Sequence, residues 1–83
     1  MNWRVIVTDS VQLALDTLTE EERIELESML FGWIETGPPR HAHRSVMGVR
    51  VFDERLPSGP VVTYFVDESV PYAAVLRVRR PAT

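Results

Sequence analysis

The tetrapeptide Thr36-Gly37-Pro38-Pro39 divides this chain into two halves with different periodicities. Glycine suits the left-handed residue that ends a helix, and two successive prolines offer no amide hydrogen to continue one. A helix can therefore run up to the break but not through it. Upstream, apolar residues recur with the helical period. Downstream they fall in short β-branched runs separated by Pro, Gly, Ser and Asp. Helices collected in one half and strands in the other point to an α+β fold.

The upstream half opens with Trp3-Arg4-Val5-Ile6-Val7-Thr8, a β-branched and aromatic run that is apolar on both parities. That pattern predicts a strand buried on both faces, either interior or well covered. Thr8 or Asp9 can cap a short helix in which Val11, Ala14, Leu15 and Leu18 share a face. Thr19-Glu20-Glu21-Glu22 has the form of a capping box, with three carboxylates at the positive end of the helix dipole. The second helix sets Leu26, Met29, Leu30 and Trp33 on one stripe, which Ile24, Phe31 and Ile34 widen. Two helices separated by one capping residue predict an αα-hairpin or a sharply bent pair. Trp3 and Trp33 are expected to meet in the core.

Downstream, Arg40-His41-Ala42-His43-Arg44 lacks periodicity and is expected to be a loop. The runs Val46 to Phe52 and Val61 to Val66 form strands joined at Leu56-Pro57-Ser58-Gly59-Pro60, which has the chemistry of a hairpin turn. Asp67-Glu68-Ser69-Val70-Pro71 makes the next turn, and Tyr72 to Arg79 is the last strand. In that strand Tyr72, Ala74, Leu76 and Val78 are expected to meet the helices, with Ala73, Val75, Arg77 and Arg79 facing solvent or a ligand. The order is β-α-α-β-β-β: a single domain over residues 1–83, with a helical hairpin packed on one face of a small, mainly antiparallel sheet.

Composition removes several function classes. There is no cysteine, so neither a disulfide framework nor a thiolate metal site is available. No uncharged stretch approaches the ~20 residues that span a bilayer, and Met1-Asn2-Trp3-Arg4 does not open a signal peptide. A cytoplasmic location without a membrane partner is expected. The net charge of −3 hides a marked asymmetry. Residues 1–37 hold eight acids against Arg4 and Arg23, a net of −6, while residues 38–83 hold seven arginines against four acids, a net of +3. All nine basic residues are arginine.

His41 and His43 alternate in an extended segment and can turn to one side, towards a phosphate or RNA, or sit as ordinary histidines in a solvated loop. No HExxH spacing occurs, no third ligand lies near, and no metal or other cofactor is implied. Arg50, Arg77, Arg79 and Arg80 can gather across neighbouring strands, where guanidinium groups would hold a polyanion or stabilise charge at a scissile phosphate. The alternative is pairing with acids on a solvated sheet face. Tyr64 offers a phenolic proton donor or a stacking surface, or else packs in the core.

The order of elements and the second half of the chain resemble the RelE/ParE toxin superfamily of bacterial toxin–antitoxin systems. The likeness is carried by Trp3 to Thr8, the paired helices, Gly48-Val49-Arg50-Val51-Phe52, Ser58-Gly59 leading into Val62-Thr63-Tyr64-Phe65-Val66-Asp67, and the closing Ala74-Val75-Leu76-Arg77-Val78-Arg79-Arg80. It implies a toxin-like component of a type II system, partnered by a cognate antitoxin protein and directed at ribosome-bound mRNA or at a protein such as gyrase. Members that cut mRNA typically carry an Arg just after the hairpin, where Val61 stands here, and a Tyr or His in a C-terminal extension, where this sequence has Pro81-Ala82-Thr83. The resemblance therefore implies binding through the basic sheet face with an incomplete ribonuclease site. In the alternative, an active mRNA endoribonuclease, Arg50, Arg77 and Arg79 hold phosphates and His43 or Tyr64 moves protons. Arg40, His41, Arg44 and Arg80 would contact RNA or a partner, and Phe31, with Leu13 and Ile34, would present apolar surface to the antitoxin.

Overall fold

The computed structural model describes residues 2–40 and 43–81. Strand β1 (Arg4–Val7) leads into helix α1 (Asp9–Ala14), which tightens into a single 3-10 turn over Leu15–Thr17 before helix α2 (Glu20–Thr36). Four strands follow: β2 (His43–Val46), β3 (Val49–Arg55), β4 (Val61–Asp67) and β5 (Tyr72–Arg79). They form one five-stranded sheet in the order β1-β5-β4-β3-β2, antiparallel throughout except where β1 lies parallel to β5. The helices cover one face, as the α+β reading expects.

The start of α2 forms as its sequence prescribes. The Glu22 amide donates to Thr19 Oγ1 at 3.1 Å and the Thr19 amide donates to Glu22 Oε1 at 2.8 Å, completing the capping box. At the other end Gly37 has φ 82°, and its amide donates to the Trp33 carbonyl at 2.8 Å. A side chain there would be strained, and a Cβ would fall 2.6 Å from the Trp3 indole, so the glycine is needed both for its turn and for close approach.

The core lies between α2 and the sheet. Leu26 and Trp33 of α2 and Val11 of α1 are buried against Phe52, Val62, Tyr64, Ala73 and Val75. Tyr64 is its centre: its ring lies 4.5 Å from Trp33 and 5.7 Å from Phe52, centroid to centroid. Trp3, partly buried, packs against this cluster, of which Trp33 is a member.

Three expectations change. The run from Val46 to Phe52 is not one strand, because Met47 (φ 52°) and Gly48 (φ 80°) turn the chain between β2 and β3. That two-residue turn draws His43 and Arg44, expected in a loop, into β2. Second, β1 is an edge strand, with Val5 and Val7 turned to the helices and Ile6 exposed on the other face. Its apolar character on both parities reflects two half-covered faces, not an interior position. Third, β5 changes parity. Tyr64 pairs with Val75 but Thr63 pairs with Arg77, leaving Leu76 as an extra, bulged residue. Ala73 and Val75 therefore enter the core, while Tyr72 and Ala74 face away from the helices. Beyond the bulge Val78 packs inward and Arg77 and Arg79 point outward.

Candidate functional site

Charge is sorted between the two sides of this sheet. All eight acids of the first half lie on the helices and the turn between them, with Arg23 as their sole basic companion there. The face of the sheet away from the helices carries Arg4, Arg44, Arg55, Arg77 and Arg79 instead. Its register sets Ile6, Ala74, Phe65 and Val51 side by side across four strands, an apolar row in which Ala74 and Val51 are buried and Ile6, at the edge, is exposed. Next to it run Arg77, Thr63 and Asp53, and beyond them Arg79, Val61 and Arg55.

On this face Arg44 is already committed. Its Nε donates to Asp53 Oδ2 at 2.7 Å and its Nη2 to Oδ1 at 3.3 Å, while Thr63 Oγ1 donates to Asp53 Oδ1 at 2.6 Å. These bonds, Arg44's first, hold the Asp53 carboxyl below the usual carboxylate range, and the charge of Arg79 adds to the effect. In return, Asp53 raises the pKa of Arg44. Arg77 and Arg79 are exposed and make no hydrogen bond or ion pair among the described residues. With Arg4, which is exposed and likewise unpaired among the described residues, they are the arginines this face leaves available to another molecule.

A second feature lies on the helix side, past the end of α2. Arg40, Arg50, Phe52, Val66, Asp67 and Glu68 line an open cleft of about 240 Å³. Arg50 shares this side with Phe52, two residues along β3, and His43 of β2 pairs with Phe52, their rings edge to face with centroids 6.1 Å apart. Arg40 sits 5.0 Å above the Trp3 ring and pairs with Glu68 at 3.5 Å. The cleft thus holds both signs of charge, Asp67 and Glu68 facing Arg40 and Arg50.

Arg50 and His43 therefore share one side of the sheet, while Arg77 and Arg79 occupy the opposite face. Tyr64 lies between them, fully buried, its hydroxyl donating to the Pro39 carbonyl at 2.6 Å. Burial, reinforced by the charges of Glu54 and Asp53, pushes the phenol further above its ordinary pKa. A phenol so placed supports the aromatic stack and the loop after α2, and has no path to a bound substrate. Arg80 is structural as well: it forms an ion pair with Glu22 and donates to the Thr17 carbonyl at 3.4 Å, pinning the end of β5 to the helix junction. Phe31 stands 70% exposed on α2. His41 lies outside the described residues.

The Asp53–Thr63–Arg44 network escaped sequence reasoning, although a signal existed. Once the hairpin turn is placed over residues 56–60, counting outward sets Arg55 opposite Val61 and hence Asp53 opposite Thr63. The Glu22–Arg80 pair joins residues 58 positions apart and has no comparable sequence signal.

No protein-family model matches the chain, and a search of curated proteins finds no similar sequence. Among solved structures, a chain of the archaeal RelE–RelB complex from Pyrococcus horikoshii OT3 superposes with a TM-score of 0.80. The match covers 96% of both chains at 19% sequence identity. The chain has a RelE-like fold.

Proposed function

We propose that this chain is the toxin-like component of a type II toxin–antitoxin system and that it acts by binding, through the uncovered, arginine-bearing face of its sheet. The observation that carries this reading is the set of exposed, uncommitted arginines, Arg4, Arg77 and Arg79, on a sheet face that no helix covers among the described residues. Unpaired guanidinium groups on an open sheet face are suited to pairing with the carboxylates of a partner protein. The RelE-like fold, and the fact that the similar structure is a complex, support a cognate antitoxin as one partner. A target protein such as gyrase is the other candidate occupant of the face, and the site of action is the cytoplasm of a bacterial cell.

The experiment is induction of the chain from a tightly controlled promoter, alone and together with the product of a neighbouring small gene. Growth arrest relieved by that product, and lost in the Arg77→Ala/Arg79→Ala double variant, is the expected result. Arrest that ignores both arginines removes this face from the mechanism.

A second reading is favoured by one geometric fact, the common side shared by Arg50 and His43 beside the helix-side cleft. In that reading the chain cuts mRNA on the ribosome, Arg50 holding phosphate and His43 moving a proton as the ribose 2′-hydroxyl attacks. Tyr64, Arg77 and Arg79 have no part in it. Cleaved message on induction, abolished by Arg50→Ala and His43→Ala, would favour this reading, whereas arrest with intact message leaves binding as the mode of action.

A further inference from the structure

The two edges of the sheet are finished differently. At β1 the Trp3 amide donates to the Ile34 carbonyl at 2.8 Å and Gln12 Nε2 to the Val7 carbonyl at 3.4 Å, so both ends of that edge are tied to a helix. At β2 all four residues, His43–Val46, are exposed. The strand pairs with β3 alone, and it carries neither a proline nor a bulge of the kind that protects an open edge.

Hairpin geometry fixes which peptide groups of β2 face out. Met47 (φ 52°) and Gly48 (φ 80°) form a two-residue turn, flanked by Val46 and Val49 as the first pair of the ladder. In such a hairpin the first pair exchanges both of its hydrogen bonds, so Val46 and Arg44 bond to β3 while the amides and carbonyls of His43 and Ser45 point outward. The side chains divide by face. Arg44 and Val46 lie away from the helices, His43 and Ser45 on the helix side. Val46 is 41% exposed and Met47 98%. Met47 holds a left-handed backbone conformation that is costly for a residue with a side chain, and the core of its own chain gains nothing from that side chain.

We infer that β2 pairs antiparallel with β2 of a second copy of this chain, about a two-fold axis at Ser45. In this register Ser45 meets the partner's Ser45, Arg44 meets the partner's Val46, and His43 meets the partner's Met47. The central pair makes two backbone hydrogen bonds from groups otherwise left to water, and the two serine hydroxyls meet on the helix side. The aliphatic stem of Arg44 covers the partner's Val46, and the partner's Met47 reaches the His43 ring, which already stands edge to face with Phe52. Charge permits the match. Strand β2 carries no acid and its one arginine is bidentate to Asp53, so two copies meet without opposing free like charges. For the same reason the edge offers no unpaired charge that would select a strongly acidic or basic strand of another protein. A two-fold axis at Arg44 instead would set two guanidinium groups directly opposite each other, which is unfavourable. The contact is short, so the dimer is weak and forms at high concentration. It leaves Arg77 and Arg79 uncovered and does not depend on the toxin-like reading.

The chain has no cysteine, so a single introduced one reports the register. In Ser45→Cys the two thiols lie across a hydrogen-bonded pair, with Cα atoms about 5.5 Å apart and within disulfide reach. In Val46→Cys they lie two residues out of register, beyond the limit of about 7 Å. Mild oxidation should therefore cross-link most of Ser45→Cys and little of Val46→Cys. Sedimentation of the unaltered chain from micromolar to millimolar concentration should show the mass rising towards twice that of one chain, with amide exchange at His43 and Ser45 slowing in step. Ser45→Pro removes an outward donor but no bond of the β2–β3 ladder, so it should keep its melting temperature and weaken association about tenfold or more. Met47→Asn, which gives the turn its preferred Asn-Gly sequence, should melt higher and associate less. A chain that stays monomeric at millimolar concentration, equal cross-linking of the two cysteine variants, undiminished association of Ser45→Pro, or association without protection of the Ser45 amide each overturns the proposal. Growth arrest and its relief by a partner test the toxin-like reading separately, so either can fail while the other stands.

Discussion

The two sides of α2 were built from the same residue types but serve different ends. Leu26 and Trp33 are buried against the sheet, whereas Ile24 and Phe31 stand in solvent on the same helix. The sheet repeats the contrast: Val62 and Tyr64 of β4 are sealed under the helices, while Phe65 lies in the apolar row of the uncovered face. Apolar character therefore does not distinguish core from surface here. The helices cover one face only, and on the other Val51 and Ala74 are buried while Ile6 at the edge is open.

That comparison is most sharply tested by paired substitutions on α2. Trp33→Ala removes the ring packed on Tyr64 and should cost about 3–5 kcal/mol, read by urea denaturation, enough to leave so small a protein largely unfolded. Phe31→Ala on the opposite side should change stability by no more than about 0.5 kcal/mol. Equal losses would mean that the exposed side is also structural.

A smaller effect is expected from Tyr64→Phe, which keeps the aromatic stack but leaves the Pro39 carbonyl without its donor. The cost should be about 1–3 kcal/mol. Growth arrest, if the phenol only supports the fold, should persist wherever the variant stays folded.

The acid limb of stability compares the two carboxylates tied down on opposite sides of the sheet. Glu22 is held below the ordinary carboxylate pKa by the Thr19 amide and by Arg80, and Asp53 by Arg44 and Thr63. A depressed pKa in the folded chain stabilises it above the unfolded value, near 4, and that contribution is lost as pH falls through the lower, folded one. Glu22→Gln and Asp53→Asn should each flatten the fall in melting temperature below about pH 4. An unchanged slope in either would show that the pair contributes nothing to acid stability.

The least change is expected from Arg77→Ala and Arg79→Ala. Both side chains are exposed and unpaired among the described residues, so stability should shift by no more than about 0.5 kcal/mol. A loss of partner binding in a variant with unaltered melting would separate recognition from folding on the arginine face.

The parts of this fold legible in the sequence were those specified by neighbours in the chain. Thr19 and Glu22 make the capping box three residues apart, and Gly37 ends α2 by its own backbone preference. The turn over residues 56–60 was likewise visible in Pro and Gly. Features set by distant partners were not. Leu76 looks like any apolar strand residue, and only its pairing with β4 makes it a bulge, which sent Ala73 and Val75 to the core against simple alternation. The Met47-Gly48 turn was hidden because methionine carries no turn signal and the glycine sat inside an apparently continuous β-run. The proposed gathering of Arg50 with Arg77 and Arg79 failed for a related reason: strand membership was readable, but the side of the sheet each arginine takes depends on registers and on that bulge.

The parallel pairing of β1 with β5 joins residues 4–7 to residues 72–75, nearly the whole length of the chain. Such contacts close the longest loop available and are expected to form late. During synthesis the first strand is made early but lacks its neighbour until Val75 has emerged. The edge formed by β1 is therefore set in place only after β5 has been made.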